Sequence, residues 1–179
     1  MPLSIIDRAM AMREERGSGA PDPAPRVPAA GVAEPDAWYF AVRVAGGRYA
    51  FAAHLVTEVV RLGPLTRLPS APPFLLGVFT HRGEILPVLD LGELLLRRAS
   101  PTRPGARAAV VHADPWRVAV LSDEIEGLIR VPRRRIGPAP AAQGAAEFLQ
   151  AVIADDMGDI AVLEMPRVVS VARTRSVPA

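Results

Sequence analysis

Side chains that could carry out chemistry are present in this sequence, but they do not converge. His54, His81 and His112 lie far apart, and none has a second ligand at metal-binding spacing, so each reads as a surface or packed side chain. Cysteine is absent, which removes thiolate nucleophiles, thiolate metal sites and disulfides together. Asp155, Asp156 and Asp159 could suggest a calcium loop, but their spacing fails the EF-hand pattern and Met157-Gly158 reads as a turn. Asp123, Glu124 and Glu126 could form an acid–base pair, yet alternation along a strand puts Asp123 and Glu124 on opposite faces. The sequence holds no GxSxG elbow, no Walker loop and no GxGxxG after a strand. The expectation is a protein that binds rather than catalyses, with no metal and no cofactor.

Arg133-Arg134-Arg135, with Arg130 nearby, is the one basic cluster and could contact phosphates. The aromatic residues that single-stranded nucleic acid needs for stacking are missing beside it. The pI near 9.9 overstates the basic character, because the net charge is only +2. All 21 basic residues are Arg, so few groups titrate between neutral pH and the alkaline range, and a small excess carries the pI upward. A nucleic-acid-binding small barrel using this loop is the alternative function, and a solvated loop or a contact with an acidic protein surface fits the cluster better. No apolar stretch is long enough to span a bilayer, and Asp7 and Arg8 interrupt the apolar N-terminus. The expectation is a cytoplasmic protein without direct membrane insertion.

The 179 residues suit one domain with chain to spare. Ser4 and Asp7 can cap a short helix over residues 1–16, and the Pro/Ala/Gly-rich residues 17–37 read as a linker. From Trp38 onward the pattern is β. One hairpin is expected around a Gly46-Gly47 turn and a second around Asp114-Pro115, with further strands at 78–80, 85–89 and 160–163. A single helical run covers Leu91 to Arg98, and residues 173–179 form a tail.

An internal repeat organises these elements. Tyr49 through Leu62 lies over Val118 through Val131 without gaps, which pairs Val56 with Ile125, Val59 with Leu128 and Arg61 with Arg130. Ser70-Ala71-Pro72 then parallels Pro138-Ala139-Pro140, Phe74 to Val78 parallels Phe148 to Val152, and Val88 to Leu91 parallels Val162 to Met165. The fold expected is all-β: two SH3-like β-barrel halves related by duplication, about 38–96 and about 106–165, with short helices at the ends. Halves this small manage their edge strands best as short barrels.

The motifs Val56-x-Glu58-Val59, Thr66-Arg67-Leu68-Pro69, Pro72-x-Phe74-x-x-Gly77, Arg82-Gly83 and Pro87-Val88-Leu89-Asp90-Leu91 occur in that order. Together with Val118 to Ile125 and Ile136-x-Pro138-x-Pro140, they resemble the CheW family of chemotaxis adaptors over about residues 38–172. The resemblance implies a hydrophobic groove between two barrels. It also implies a scaffold that joins the regulatory domain of a CheA-type histidine kinase to the cytoplasmic tip of a chemoreceptor, at membrane-associated receptor arrays. Carried over by motif, the partner-binding residues are Val56, Glu58, Val59, Gly77 and Arg82. Thr80 and His81 stand where the family usually has Asn and an apolar residue, and Ala151 and Glu164 replace a common Gly and Asp. Plainer readings stand beside these roles: barrel core for Val56 or Val59, backbone crowding for Gly77, and an ion pair with Glu84 or Asp90 for Arg82.

Overall fold

The computed structural model describes residues 35–103, 105–139 and 147–176. The helix expected over 1–16 and most of the 17–37 segment lie outside them. Eleven strands follow in order: β1 (Ala37–Val44), β2 (Gly47–Ala52), β3 (Val56–Arg61), β4 (Leu75–His81), β5 (Glu84–Asp90), β6 (Arg107–Ala113), β7 (Trp116–Leu121), β8 (Glu124–Val131), β9 (Ile136–Pro138), β10 (Leu149–Ile153) and β11 (Ile160–Leu163). Helix α1 (Leu91–Leu96) follows β5 and α2 (Met165–Ser176) follows β11.

The repeat is visible in the hydrogen bonding. One sheet has the order β8-β1-β2-β11-β10-β9 and the other β3-β6-β7-β5-β4, with Thr66 bridging to Val78 at the end of the second. Each strand of one sheet occupies the place of its repeat equivalent in the other. The parallel pairs match, Val162 opposite Ala50 and Val88 opposite Ala119. So do the bulges, at Val56/Glu58 against β6 and at Ile125/Gly127 against β1. Even single bonds recur: the amide of Asp90 donates to Phe74 O and that of Glu164 to Phe148 O, both at 2.8 Å.

The sequence halves are nevertheless not the folded halves. The β1–β2 hairpin joins the strands of the second repeat, and the β6–β7 hairpin joins those of the first. The two barrel-like units have thus exchanged hairpins. This explains why β6 and β7 are apolar on successive residues rather than alternately. Ala109, Val111 and Val120 face the central core shared by both sheets and both helices, while Ala108, Val110 and Leu121 enter a separate core with Val60, Phe79 and Leu86. On the other sheet Ala41, Ala50, Ile153 and Val162 form the matching third cluster.

Four local expectations need correction. The first hairpin turns at Ala45-Gly46, both at positive φ, with Gly47 already in the strand. Ala45 holds that conformation because its amide donates to Asp123 Oδ2 at 2.7 Å. Helix α1 stops at Leu96, not Arg98, because Arg97 adopts the left-handed conformation and bonds back to Glu93 and Gly92. Residues 173–176 are the last turn of α2 rather than tail, and the Arg173 guanidinium lies 3.9 Å from the Trp116 ring centroid. Finally, the bridges Thr66–Val78 and Gly137–Val152 are equivalent, so Thr66 matches Gly137 and the match of Ser70 with Pro138 is out of register.

Candidate functional site

Strand β3 is the outer strand of its sheet, and the bulge at Thr57 turns its side chains. Glu58, directly after the bulge, becomes the centre of a charged cluster. His81 Nε2 lies 3.0 Å from Glu58 Oε2, Arg82 Nη2 3.5 Å from the same oxygen, and Arg117 Nη2 3.8 Å from Oε1. Arg117 also pairs with Glu84. Arg82 and Gly83 form the two-residue turn of the β4–β5 hairpin, both at positive φ, which fits a primed turn. Neither Glu84 nor Asp90 is the partner of Arg82. Glu84 faces Arg117, and Asp90 is fully buried, accepting from the amides of Gly92, Glu93 and Ser100 to cap α1.

The electrostatics of this cluster favour availability over stability. Exposed ion pairs contribute roughly 0–1 kcal/mol each. The Arg82 side chain is 77% exposed and only loosely held at 3.5 Å, so its planar fork can exchange Glu58 for another carboxylate.

Beside the cluster runs an apolar groove of about 460 Å³, lined by Trp38, Phe40, Ala53, His54, Val56, Thr57, Glu58, Val59 and Leu128. It lies between β3 of one sheet and β1 and β8 of the other. Trp38, Val59 and Leu128 are 55%, 43% and 63% exposed, an unusual amount of large apolar surface in one place. Val59 and Leu128 are repeat equivalents, so the groove draws one wall residue from each copy of the same motif.

Of the five residues singled out from the motifs, the structure brings four together. Val56, Glu58 and Val59 line the groove, and Arg82 reaches Glu58. Val56 is half-buried and packs against the central core. Gly77 stands apart. It is buried in β4 at φ 139°, and a Cβ there would collide with the Thr66 carbonyl. His81, Arg117, Trp38 and Leu128 were not expected at the site. Leu128 could have been found by symmetry with Val59 and His81 by its place directly before Arg82; Arg117 and Trp38 carry no sequence signal of their place.

A second charged network is structural. Arg48, whose side chain is only 9% exposed, meets Glu126 through Nη2 at 2.9 Å and pairs with Asp155. Arg43 Nε also meets Glu126 at 2.8 Å. Hydrogen bonding from Arg48 holds the Glu126 and Asp155 carboxyls below their usual range, and their two bonds raise Arg48 in turn. These contacts weld the first-repeat hairpin to the second-repeat strands. Among the described residues no three His, Asp or Glu side chains are placed to hold a metal ion. No described helix is long and apolar enough to cross a membrane.

A family model described as the CheW-like domain matches residues 39–173. The chain belongs to the CheW-like family. It is 36% identical over 148 residues to protein FrzA of Myxococcus xanthus, which covers 81% of this chain and 92% of that relative. The probable chemotaxis protein CheW of Rhizobium etli is 31% identical over 114 residues, covering 62% and 72%. Among solved structures, the scaffolding protein TtCheW from Thermoanaerobacter tengcongensis has the same fold, with a TM-score of 0.67 at 21% identity over 74% of this chain and 92% of that one. CheW-like proteins are chemosensory adaptors and scaffolds, and the two barrel-like halves with small helices are their fold.

Proposed function

We propose that this chain is a non-catalytic adaptor that couples a chemoreceptor to a CheA-type histidine kinase, held at receptor arrays by those two partners. The observation that carries the reading is the juxtaposition at β3: an apolar groove open to solvent, with a loosely paired, mostly exposed guanidinium on the carboxylate at its lip. The groove suits an apolar segment of one partner, and Glu58 and Arg82 suit charge-assisted bonds that orient it. The basic loop at Arg133–Arg135 supports a nucleic-acid role poorly, since Arg135 faces Asp155 at 3.8 Å and Asp156 at 3.4 Å.

Calorimetric titration of the kinase regulatory domain and, separately, of the receptor tip tests the reading. Arg82→Ala is expected to weaken one of the two complexes by about 2–5 kcal/mol, the range for truncating a desolvated charge-assisted contact, while unfolding changes by only about 0.5 kcal/mol. Arg82→Lys keeps the charge but not the fork, so a bidentate contact suffers and a purely electrostatic one does not. Unchanged affinities in Arg82→Ala and in Val59→Glu would remove β3 from the binding surface.

A further inference from the structure

The duplication places two arginines in equivalent positions, but only one is satisfied within the described residues. In the second repeat Arg130 lies opposite Trp38, and its Nε meets Asp36 Oδ2 at 2.7 Å. In the first repeat the equivalent Arg61 lies opposite Arg107, and Gly105 occupies the position equivalent to Asp36. Arg61 Nη1 sits 3.6 Å from where a Cβ on Gly105 would be, so a side chain at that position would lie beside the guanidinium.

The arginine pair is also placed unfavourably. The amide of Leu62 donates to Ala106 O at 2.8 Å, one half of the bonding of a hydrogen-bonded pair, while the Ala106 amide donates to Arg103 O at 2.9 Å. Arg61 and Arg107, the next pair along, are therefore a non-hydrogen-bonded pair, the kind whose side chains come closest. Like charges directly opposite each other repel. Neither arginine has an ion-pair partner among the described residues. Asp123 and Glu124 share a cleft of about 440 Å³ with Arg103 and Arg107 without pairing with either: Asp123 accepts from the Ala45 amide, and the exposed Glu124 lies 3.7 Å from Arg43, which is held more closely by Glu126 at 2.8 Å.

We propose that Arg61 and Arg107 form a carboxylate-binding site that an acidic segment of a partner protein completes in trans. Asp36 at Arg130 shows that this position of the fold accepts a carboxylate. Two guanidinium forks can bridge one carboxylate or hold two, and bound anion removes their mutual repulsion. Val59 lies two residues from Arg61 on the same face of β3, so an acidic segment here continues directly into the apolar groove. The groove that the segment enters is mainly apolar, with Val56, Val59 and Leu128 beside Trp38 and Phe40, which suits a peptide with acidic and apolar residues, and the oligonucleotide arm of the test separates this from a stacked nucleic acid. The inference does not depend on the partner being a kinase or a receptor.

The test uses the full chain at low ionic strength, with a fluorescent hexaglutamate peptide and a single-stranded oligonucleotide of matched charge. The wild type is expected to bind the peptide, and Arg61→Gln/Arg107→Gln to weaken it about tenfold or more. Gly105→Asp supplies the missing carboxylate in cis and is expected to weaken peptide binding comparably, whereas Gly105→Asn leaves it intact. Asp and Asn are the side chains that best tolerate the φ of +75° at Gly105. The double Gln variant should melt no lower than wild type, because it removes a repulsion. Absence of peptide binding, equal binding by the double Gln variant, or equal behaviour of Gly105→Asp and Gly105→Asn would overturn the proposal. So would an oligonucleotide that binds more tightly than the peptide and is lost in the same variants, since that marks a phosphate site.

Discussion

Gly77→Ala separates two roles for a residue that its motif associates with partner binding. In the structure Gly77 lies in β4 at φ 139°, where a side chain is strained whatever space surrounds it. Its added Cβ would run into the backbone carbonyl of Thr66, which cannot rotate aside. That carbonyl accepts from the Val78 amide at 2.9 Å while the Thr66 amide donates to Val78 O at 2.8 Å. Backbone strain of this kind costs about 1–3 kcal/mol, and losing the bridge adds about 1 kcal/mol per hydrogen bond. The expected destabilisation is therefore about 3–5 kcal/mol, or a fall in midpoint of about 10–15 °C for a chain of this size. Urea unfolding followed by circular dichroism measures it, and partner affinity is taken at a temperature where the variant is folded. Affinity per folded molecule should stay within about twofold, because Gly77 lines neither the groove nor the Glu58 cluster. A variant within 1 kcal/mol of wild type, or a fully folded variant that no longer binds, would refute this reasoning.

Three further outcomes follow from the same contacts. Asp90→Ala leaves three amides without their acceptor in a buried site and should cost about 3 kcal/mol in chemical denaturation, with Asp90→Asn milder; equal stability of Asp90→Ala and wild type would contradict the capping role. The depressed Glu126 and Asp155 carboxyls stabilise the fold fully above the ordinary carboxylate range, and that contribution is lost as pH falls through their lowered native values. Arg48→Met should lower stability at neutral pH, by leaving two carboxylates without their shared cation, and flatten the acid limb of the stability curve; parallel curves would show that Arg48 is not the cause. Trp116→Ala should cost about 0.5–1 kcal/mol and speed amide exchange in the last turn of α2, whereas unchanged exchange there would remove Arg173 as its anchor.

The parts of the fold that were legible before the structure are those fixed by local chemistry. The Asp114-Pro115 turn and its flanking strands fall where the residues place them, and the two similar halves expected from the repeat are present, although the bulges and parallel pairs they share became visible only in the hydrogen bonding. Hairpin exchange was not legible, because a duplicated sequence pairs equally well with its own half or the other. The deciding contacts, such as Arg48 with Glu126, join residues far apart in the chain. The bounds of α2 are fixed by packing rather than by a local stop signal: Met165, Val168, Val169 and Ala172 have helical spacing and are buried, and the helix continues through residues that read as tail. At the site, Glu58 and Arg82 were legible from their motif, yet their pairing was not, since it depends on a hairpin tip reaching back to β3. His81 read as an isolated histidine for the same reason: its partner lies 23 positions away.

The central claim, that one chain couples two partners at the same time, is tested most directly by sedimentation of the three components together. The full chain is mixed with the kinase regulatory domain and the receptor tip, each fluorescently labelled. The account predicts a single species carrying both labels, formed only when the chain is present and lost when Glu58→Arg and Val59→Glu are combined. Two partners that displace one another from the chain, or a ternary complex indifferent to both substitutions, would contradict it.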